Sequence, residues 1–257
     1  MPRTAIIGGS GFYSVPGCTL KEKRQISTKY GDVTIFIYAD KAGTEFAFLP
    51  RHGEGHVCPP HKINYRAQVM ALKTAGVESI IAVASVGSLR AFIRPGDFVL
   101  VDQFIDFTKT RPSTFFEGGD VVHVDMTEPF CPGLRKCMLA ARPAGVKVHE
   151  KGTYVCAEGP RFETPAEIRA YSAMGGDVVG MTMVPEVVLA RELSMCYAGI
   201  AVVTNYAAGI SRTAVSHEEV LAAMKKAEAM LSAYVVDCLA HVPAERKCAC
   251  CNVPEPL

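Results

Sequence analysis

The chain has 257 residues, 49% hydrophobic and 21% charged, with a formal net charge of +1. That length suits one large α/β domain with a substantial core, and the near-neutral balance argues against a nucleic-acid or membrane partner held mainly by charge. No apolar run reaches the length of a membrane span, and the opening MPRTAIIGGSGF reads as strand plus glycine turn rather than signal peptide. A cytoplasmic protein is the expectation. Seven of the ten cysteines are scattered, several in apolar segments, and read as buried small side chains rather than a disulfide framework. Only Cys248, Cys250 and Cys251 cluster, in RKCACC.

Thr4 to Ile7 form a short apolar strand, followed by Gly8-Gly9-Ser10-Gly11. Such a turn exposes backbone N–H groups and a hydroxyl that can cradle a phosphate, and it serves equally as a plain tight turn. It matches neither a Walker loop nor the dinucleotide fingerprint, which weighs against an NAD-binding oxidoreductase. Val33–Tyr38 and Glu45–Leu49 alternate like paired strands, and the second runs into Arg51-His52-Gly53-Glu54-Gly55-His56. Arg51 suits a planar anion. His52 and His56 lie four apart, but the glycines oppose a helix, so a metal-ligand pair is not expected there.

Residues 64–75 predict a helix and Ser79–Val86 a buried strand, ending in a polar turn at Ser85-Val86-Gly87-Ser88. Phe98–Val101 read as a further strand, whereas Asp102–Pro132 show no clear periodicity. A segment of that length is usually functional or pairs with another subunit. Pro132–Ala141 predict a helix and Val146–Cys156 a strand. Thr164-Pro165-Ala166-Glu167 is a capping box with proline at the first helical position. Glu163 then precedes a helix N-terminus, whose partial positive charge favours the ionised carboxylate. It could accept hydrogen bonds from a ligand or simply assist the cap. Val178–Met181 is a brief strand leading to Thr182, and Pro185–Leu193 a helix. Ser216 and Glu219 suggest a second capping box, opening the best-patterned helix of the chain. His217 takes its first position; a neutral imidazole there can both donate and accept, which suits a sugar hydroxyl. Cys196–Thr204 form a buried strand ending at Asn205, either a turn residue or a ligand contact at a strand's carboxyl end.

No repeat, low-complexity tract or composition break divides the chain. One α/β domain over 1–245 with a Cys-rich tail over 246–257 is the expected organisation, and the early strand pair predicts a mixed sheet.

The segments IIGGSGF, RHGEGH, PPHKINYRA, VGSL, RPGDFVLVDQFIDFT, EPFCP, EGPRFET, VGMTMVPEVVLARE, TNYAAG and SHEEVL together resemble the trimeric purine nucleoside phosphorylase and methylthioadenosine phosphorylase family, across almost the whole chain. The resemblance implies a mixed central sheet partly closed into a barrel and flanked by helices. It implies phosphorolysis of a purine nucleoside to free base and pentose 1-phosphate, with no metal or organic cofactor. The family's phosphate pocket falls on Ser10, Arg51, His52, Ser85 and Thr182, with backbone help near Ala84. Met181 resembles the residue under the ribose. His123 resembles one that a neighbouring subunit contributes to the sugar's 5′ end, implying a homotrimer or a hexamer.

Three departures bear on the substrate. The methylthioadenosine-cleaving members carry two aspartates where this chain has Asn205 and Ala207. An asparagine cannot protonate adenine N7, but its amide can donate to a 6-oxo group while its carbonyl accepts from a protonated N7. Glu163 stands where adenine-directed members have a small hydroxyl residue; its carboxylate accepts the N1–H that 6-oxopurines carry and adenine lacks. His217 replaces an apolar residue that faces a thiomethyl group. The resemblance therefore implies a 6-oxopurine phosphorylase cleaving inosine or guanosine, with Asn205 and Glu163 as the catalytic pair. The alternatives are a methylthioinosine phosphorylase, a methylthioadenosine phosphorylase, and a nucleoside-binding protein that lost catalysis. Some thermophilic relatives have a C-terminal C-x-C that forms disulfides, with Cys196 a candidate partner here. A flexible tail and a metal site remain open as well, although only His241 lies near the three cysteines in sequence.

Overall fold

The computed structural model describes residues 2–55, 57–119, 121–211 and 214–252. Its framework is a mixed eleven-stranded sheet that forks at one long strand. The strands are β1 (Thr4–Gly8), β2 (Thr19–Thr28), β3 (Gly31–Ala39), β4 (Glu45–Pro50), β5 (Ser79–Ser88), β6 (Phe98–Leu100), β7 (Gln103–Phe107), β8 (Val148–His149), β9 (Thr153–Ala157), β10 (Val178–Gly180) and β11 (Cys196–Tyr206). They run in the order β2-β3-β4-β1-β5-β10-β9-β7, and β11 pairs with both β5 and β6. β5 is parallel to β1 through Ser79–Ala82, antiparallel to β10 at Gly87 and Ser88, and parallel to β11 along its length.

Side-chain alternation on these strands feeds two layers. Ile7, Ala82, Ala84 and Val203 face one core, closed by helices α1 (Tyr65–Thr74) and α4 (Met183–Glu192). Ile6, Ile81, Val83 and Val202 face the other, closed by α2 (Pro132–Ala140) and α5 (His217–His241). That period-2 division is what lets β1, β5 and β11 read as continuously apolar in sequence: both faces are covered. A smaller cluster under α3 (Pro165–Ala173) joins Ile168 and Tyr171 to Val155, Val179 and Ala207.

Several expectations need correction. β2 carries no apolar pattern because it is an exposed edge strand rich in charge, and it gives no strand signal in sequence. The segment after Asp102 begins with β7, held parallel to β9, before becoming irregular. The strand expected over Val146–Cys156 is broken into β8 and β9. Ser85-Val86-Gly87-Ser88 is not a turn; β5 continues through it because β10 and β11 both pair there. Asn205 likewise lies within β11, at a bulge between Val203 and Asn205, and is not a turn residue. The capping box at Thr164 is complete, whereas at α5 only its Ser216 half forms, with Ser216 Oγ accepting from the Glu219 N–H at 3.2 Å. Within the cysteine tail, Cys250 is buried in the α2/α5 core, while Lys247, Ala249 and Asn252 are exposed.

Candidate active site

The carboxyl ends of β1, β4, β5, β10 and β11 surround a cavity of about 390 Å³, within the range of small-molecule sites. Ser10, Arg51, His52, Ala84, Ser85, Glu163, Met181, Thr182, Asn205, Ala207 and His217 all line it. These residues come from seven separate stretches of the chain. His123 does not reach it; that residue is exposed on the irregular segment before α2. His56 lies outside the described residues.

One half of the cavity suits an oxyanion. Gly9 lines it because a Cβ there would sit 2.6 Å from Arg51 Nη1, so only glycine lets the loop approach the guanidinium. Arg51 is 1% exposed. It donates through Nε to Glu186 Oε1 (2.5 Å), through Nη2 to Glu186 Oε2 (3.0 Å), and through Nη1 to the Val83 carbonyl (2.8 Å). Tyr197 completes the carboxylate, its hydroxyl donating to Glu186 Oε2 at 2.7 Å. Burial alone would push the guanidinium pKa down, but the adjacent Glu186 carboxylate outweighs it and the net shift is up. Of five N–H donors, the three hydrogen bonds named use three. The His52 ring is set by Nδ1 against the Cys58 carbonyl at 2.8 Å. Thr182 caps α4 without spending its hydroxyl on the helix, and its N–H is taken by the Tyr154 hydroxyl at 3.0 Å. Its side chain is thereby left to the cavity.

The other half suits a heterocycle with both donor and acceptor edges. Asn205 is 4% exposed, and the bulge in β11 turns it toward the cavity. Thr204 donates its hydroxyl to Asn205 Oδ1 (2.8 Å), and Asn205 Nδ2 donates to the Tyr206 carbonyl (2.9 Å). Those contacts leave one lone pair and one N–H of the amide for a ligand. Gly87 opposes it across the ladder, and a Cβ there would lie 3.4 Å from Asn205 Nδ2 and from Ala207. Glu163 Oε1 is buried with no hydrogen-bond partner. Burial pushes the Glu163 pKa up to about 6, against a smaller lowering from its own backbone N–H. The carboxylate is thus harder to ionise than an exposed one, although it precedes the N-terminus of α3. An orphaned buried carboxylate oxygen is costly unless something binds it.

The Phosphorylase superfamily model matches residues 3–240. The chain belongs to that superfamily. This phosphorylase-superfamily chain is 52% identical to the 6-oxopurine nucleoside phosphorylase of Pyrococcus furiosus, covering 97% of both chains. It is 48% identical to the S-methyl-5′-thioadenosine phosphorylase of Thermofilum pendens, covering 96% of this chain and 95% of that one. Among solved structures it is similar to the methylthioadenosine phosphorylase of Schistosoma mansoni in complex with adenine, at TM-score 0.90 and 35% identity over 96% of this chain and 93% of that one.

Sequence reasoning missed the residues that hold the site from behind. Glu186 stands in the apolar run MVPEVVLA, where a lone acid was the available signal, and it is 0% exposed. Arg111 gave no such signal. It donates to the carbonyls of Met181 (2.7 Å), Val184 (2.8 Å) and Glu158 (2.7 Å), and to the Tyr65 hydroxyl (3.1 Å). It thus locks the backbone on which Met181 and Thr182 are carried.

Proposed function

We propose that this protein is a 6-oxopurine nucleoside phosphorylase, taking inosine or guanosine and phosphate to free base and ribose 1-phosphate. The observation that carries the reading is the pairing, in one cavity, of a buried, partnerless Glu163 carboxylate oxygen with Asn205. The relatives at 51–52% identity whose names specify 6-oxopurines support the same reading.

In this account Glu163 accepts N1–H of the base. Asn205 donates to O6 and accepts from N7–H once that nitrogen is protonated. Ser10, Arg51, His52, Ser85 and Thr182 hold the phosphate dianion, with the Ala84 backbone assisting. As the C1′–N9 bond breaks, its electron pair passes to the base, whose charge is neutralised by a proton taken up at N7 from solvent and matched by the proton that phosphate releases as it bonds to C1′. A phosphate oxygen then bonds to C1′. The work of the protein is positioning and charge stabilisation. Adenine N1 would meet the Glu163 carboxylate as two acceptors, an unpaired buried contact that discriminates strongly. Met181 lies under the ribose, Ala207 leaves room beside the base, and His217 bonds the 5′-hydroxyl. His123 reaches that hydroxyl from a second copy in a homotrimer or hexamer.

A methylthioinosine phosphorylase is the second reading, favoured by Val215 and Val220, which line the cavity together with His217 and offer apolar contact to a thiomethyl group. The test is phosphorolysis of inosine and methylthioinosine side by side. Faster inosine cleavage supports the first reading, and the reverse supports the second.

A further inference from the structure

Outside the cavity, among the described residues, one cluster of side chains is concentrated enough to bind something by itself. The Sγ atoms of Cys131, Cys196, Cys248 and Cys250 all lie within 4.8 Å of one another. They arrive from three places: the N-cap of α2, the first residue of β11, and a single 3-10 turn over Ala249–Cys251. Cys131, Cys196 and Cys250 are buried and Cys248 is half-buried.

We propose that these four cysteines form a structural site for a soft divalent cation of the zinc class, clamping the C-terminal segment to the start of β11. Four thiolates are the donor set that zinc takes in closed tetrahedral sites. With Zn–S near 2.3 Å the sulfurs of such a site stand about 3.8 Å apart, a spacing that sulfurs all within 4.8 Å of one another reach by small side-chain shifts. Four thiolates around a divalent cation leave two negative charges to offset. The Leu134 N–H at the start of α2 donates to Cys131 Sγ (3.5 Å), and Arg191 and Arg246 act electrostatically on Cys250 and Cys196. The Leu134 N–H is the kind of outer hydrogen bond that orients a thiolate ligand. A cleft lined by Cys131, Cys196, Arg246 and Cys248 gives the ion a way in. The tail's own sequence hid the site, because Cys131 and Cys196 lie more than 50 residues from the C-x-C. The inference is independent of the nucleoside reading.

Full-length protein grown with added zinc and purified without chelator provides the test. Metal is measured by mass spectrometry, and thiols are titrated in denaturant with chelator. The expected result is one zinc per chain and all ten cysteines titrating as thiols. Less than about a tenth of a zinc per chain overturns the proposal, whether all ten thiols titrate or four are lost to disulfides. The double variant Cys248→Ser/Cys250→Ser should lose zinc at least tenfold, whereas Cys251→Ser, outside the four, should keep it. Equal zinc in all three proteins overturns the assignment. If the double variant fails to fold, cobalt is loaded into the unaltered chain. Thiolate-to-cobalt charge transfer with tetrahedral d–d bands is expected, and a weak octahedral spectrum contradicts the site.

Discussion

Arg51 and Glu186, 135 residues apart in sequence, form a bidentate ion pair in which both side chains are about 1% exposed or less. The pair joins the end of β4 to α4, and so fixes the cation of the oxyanion half of the cavity. A buried pair stabilises little as a whole, but removing one partner leaves an uncompensated charge and costs about 3–5 kcal/mol. Glu186→Ala is therefore expected to lower Tm by on the order of 10 °C and to raise the KM for phosphate more than that for nucleoside. Thermal unfolding and two-substrate kinetics check this. An unchanged Tm would remove Glu186 as the residue holding Arg51.

Glu163 opposes stability where it serves binding. Its folded pKa, about 6, lies above the ordinary 4.5. The neutral form is thus favoured on folding, and the stability it contributes is fully present below pH 4.5 and lost as pH rises through 6. At pH 7.5 the buried charge costs up to about 2 kcal/mol. Glu163→Gln should raise the Tm of the unliganded protein by several degrees at pH 7.5 and leave it unchanged near pH 4. Melting curves at the two pH values decide the point, and equal shifts at both would contradict it.

The same ionisation should appear in catalysis. With the carboxylate required to accept N1–H, kcat/KM for inosine falls about tenfold per unit below pH 6. Phosphate also titrates in this range, so the limb is read as the difference between the native chain and Glu163→Gln. The variant should lose that limb. Its inosine kcat/KM at pH 7.5 should fall roughly 10–100-fold, the cost of a charged hydrogen bond. Adenosine cleavage should gain relative to inosine, because the amide can donate to an unprotonated N1. A variant that keeps both the acid limb and the inosine rate would exclude this role.

Much of this site was legible in the sequence, for a definite reason. Buried strands read as apolar runs, and Ser10, Arg51, Ser85, Thr182 and Asn205 are the polar residues that interrupt or end them. The apolar code stops where tertiary pairing takes over. Ser85–Ser88 look like a turn but are strand, because β10 and β11 supply ladder partners from residues far along the chain. Asn205 is brought to the cavity by a bulge that no local propensity announces. β2 stayed hidden because an exposed edge strand has no apolar face to display. Arg111 and the place of Cys131 in the sulfur cluster were invisible for a related reason: each depends on partners some 45 or more residues away.

His217 is the single side chain that ties the cavity to a 5′-hydroxyl. His217→Val should reduce inosine cleavage at least tenfold while methylthioinosine cleavage falls less, because only the hydroxyl loses a hydrogen-bond partner. Steady-state rates on both nucleosides read the difference. Equal losses would take the 5′-hydroxyl away from His217.

The most direct test of the central claim is the initial rate of phosphate-dependent base release from inosine, guanosine, adenosine and methylthioadenosine at one pH near 7.5. The account predicts kcat/KM for inosine and guanosine at least 100-fold above that for the two adenine nucleosides, with no release when phosphate is omitted. Adenosine or methylthioadenosine cleaved as fast as inosine would contradict it, because Glu163 and Asn205 would then not be reading the base edge.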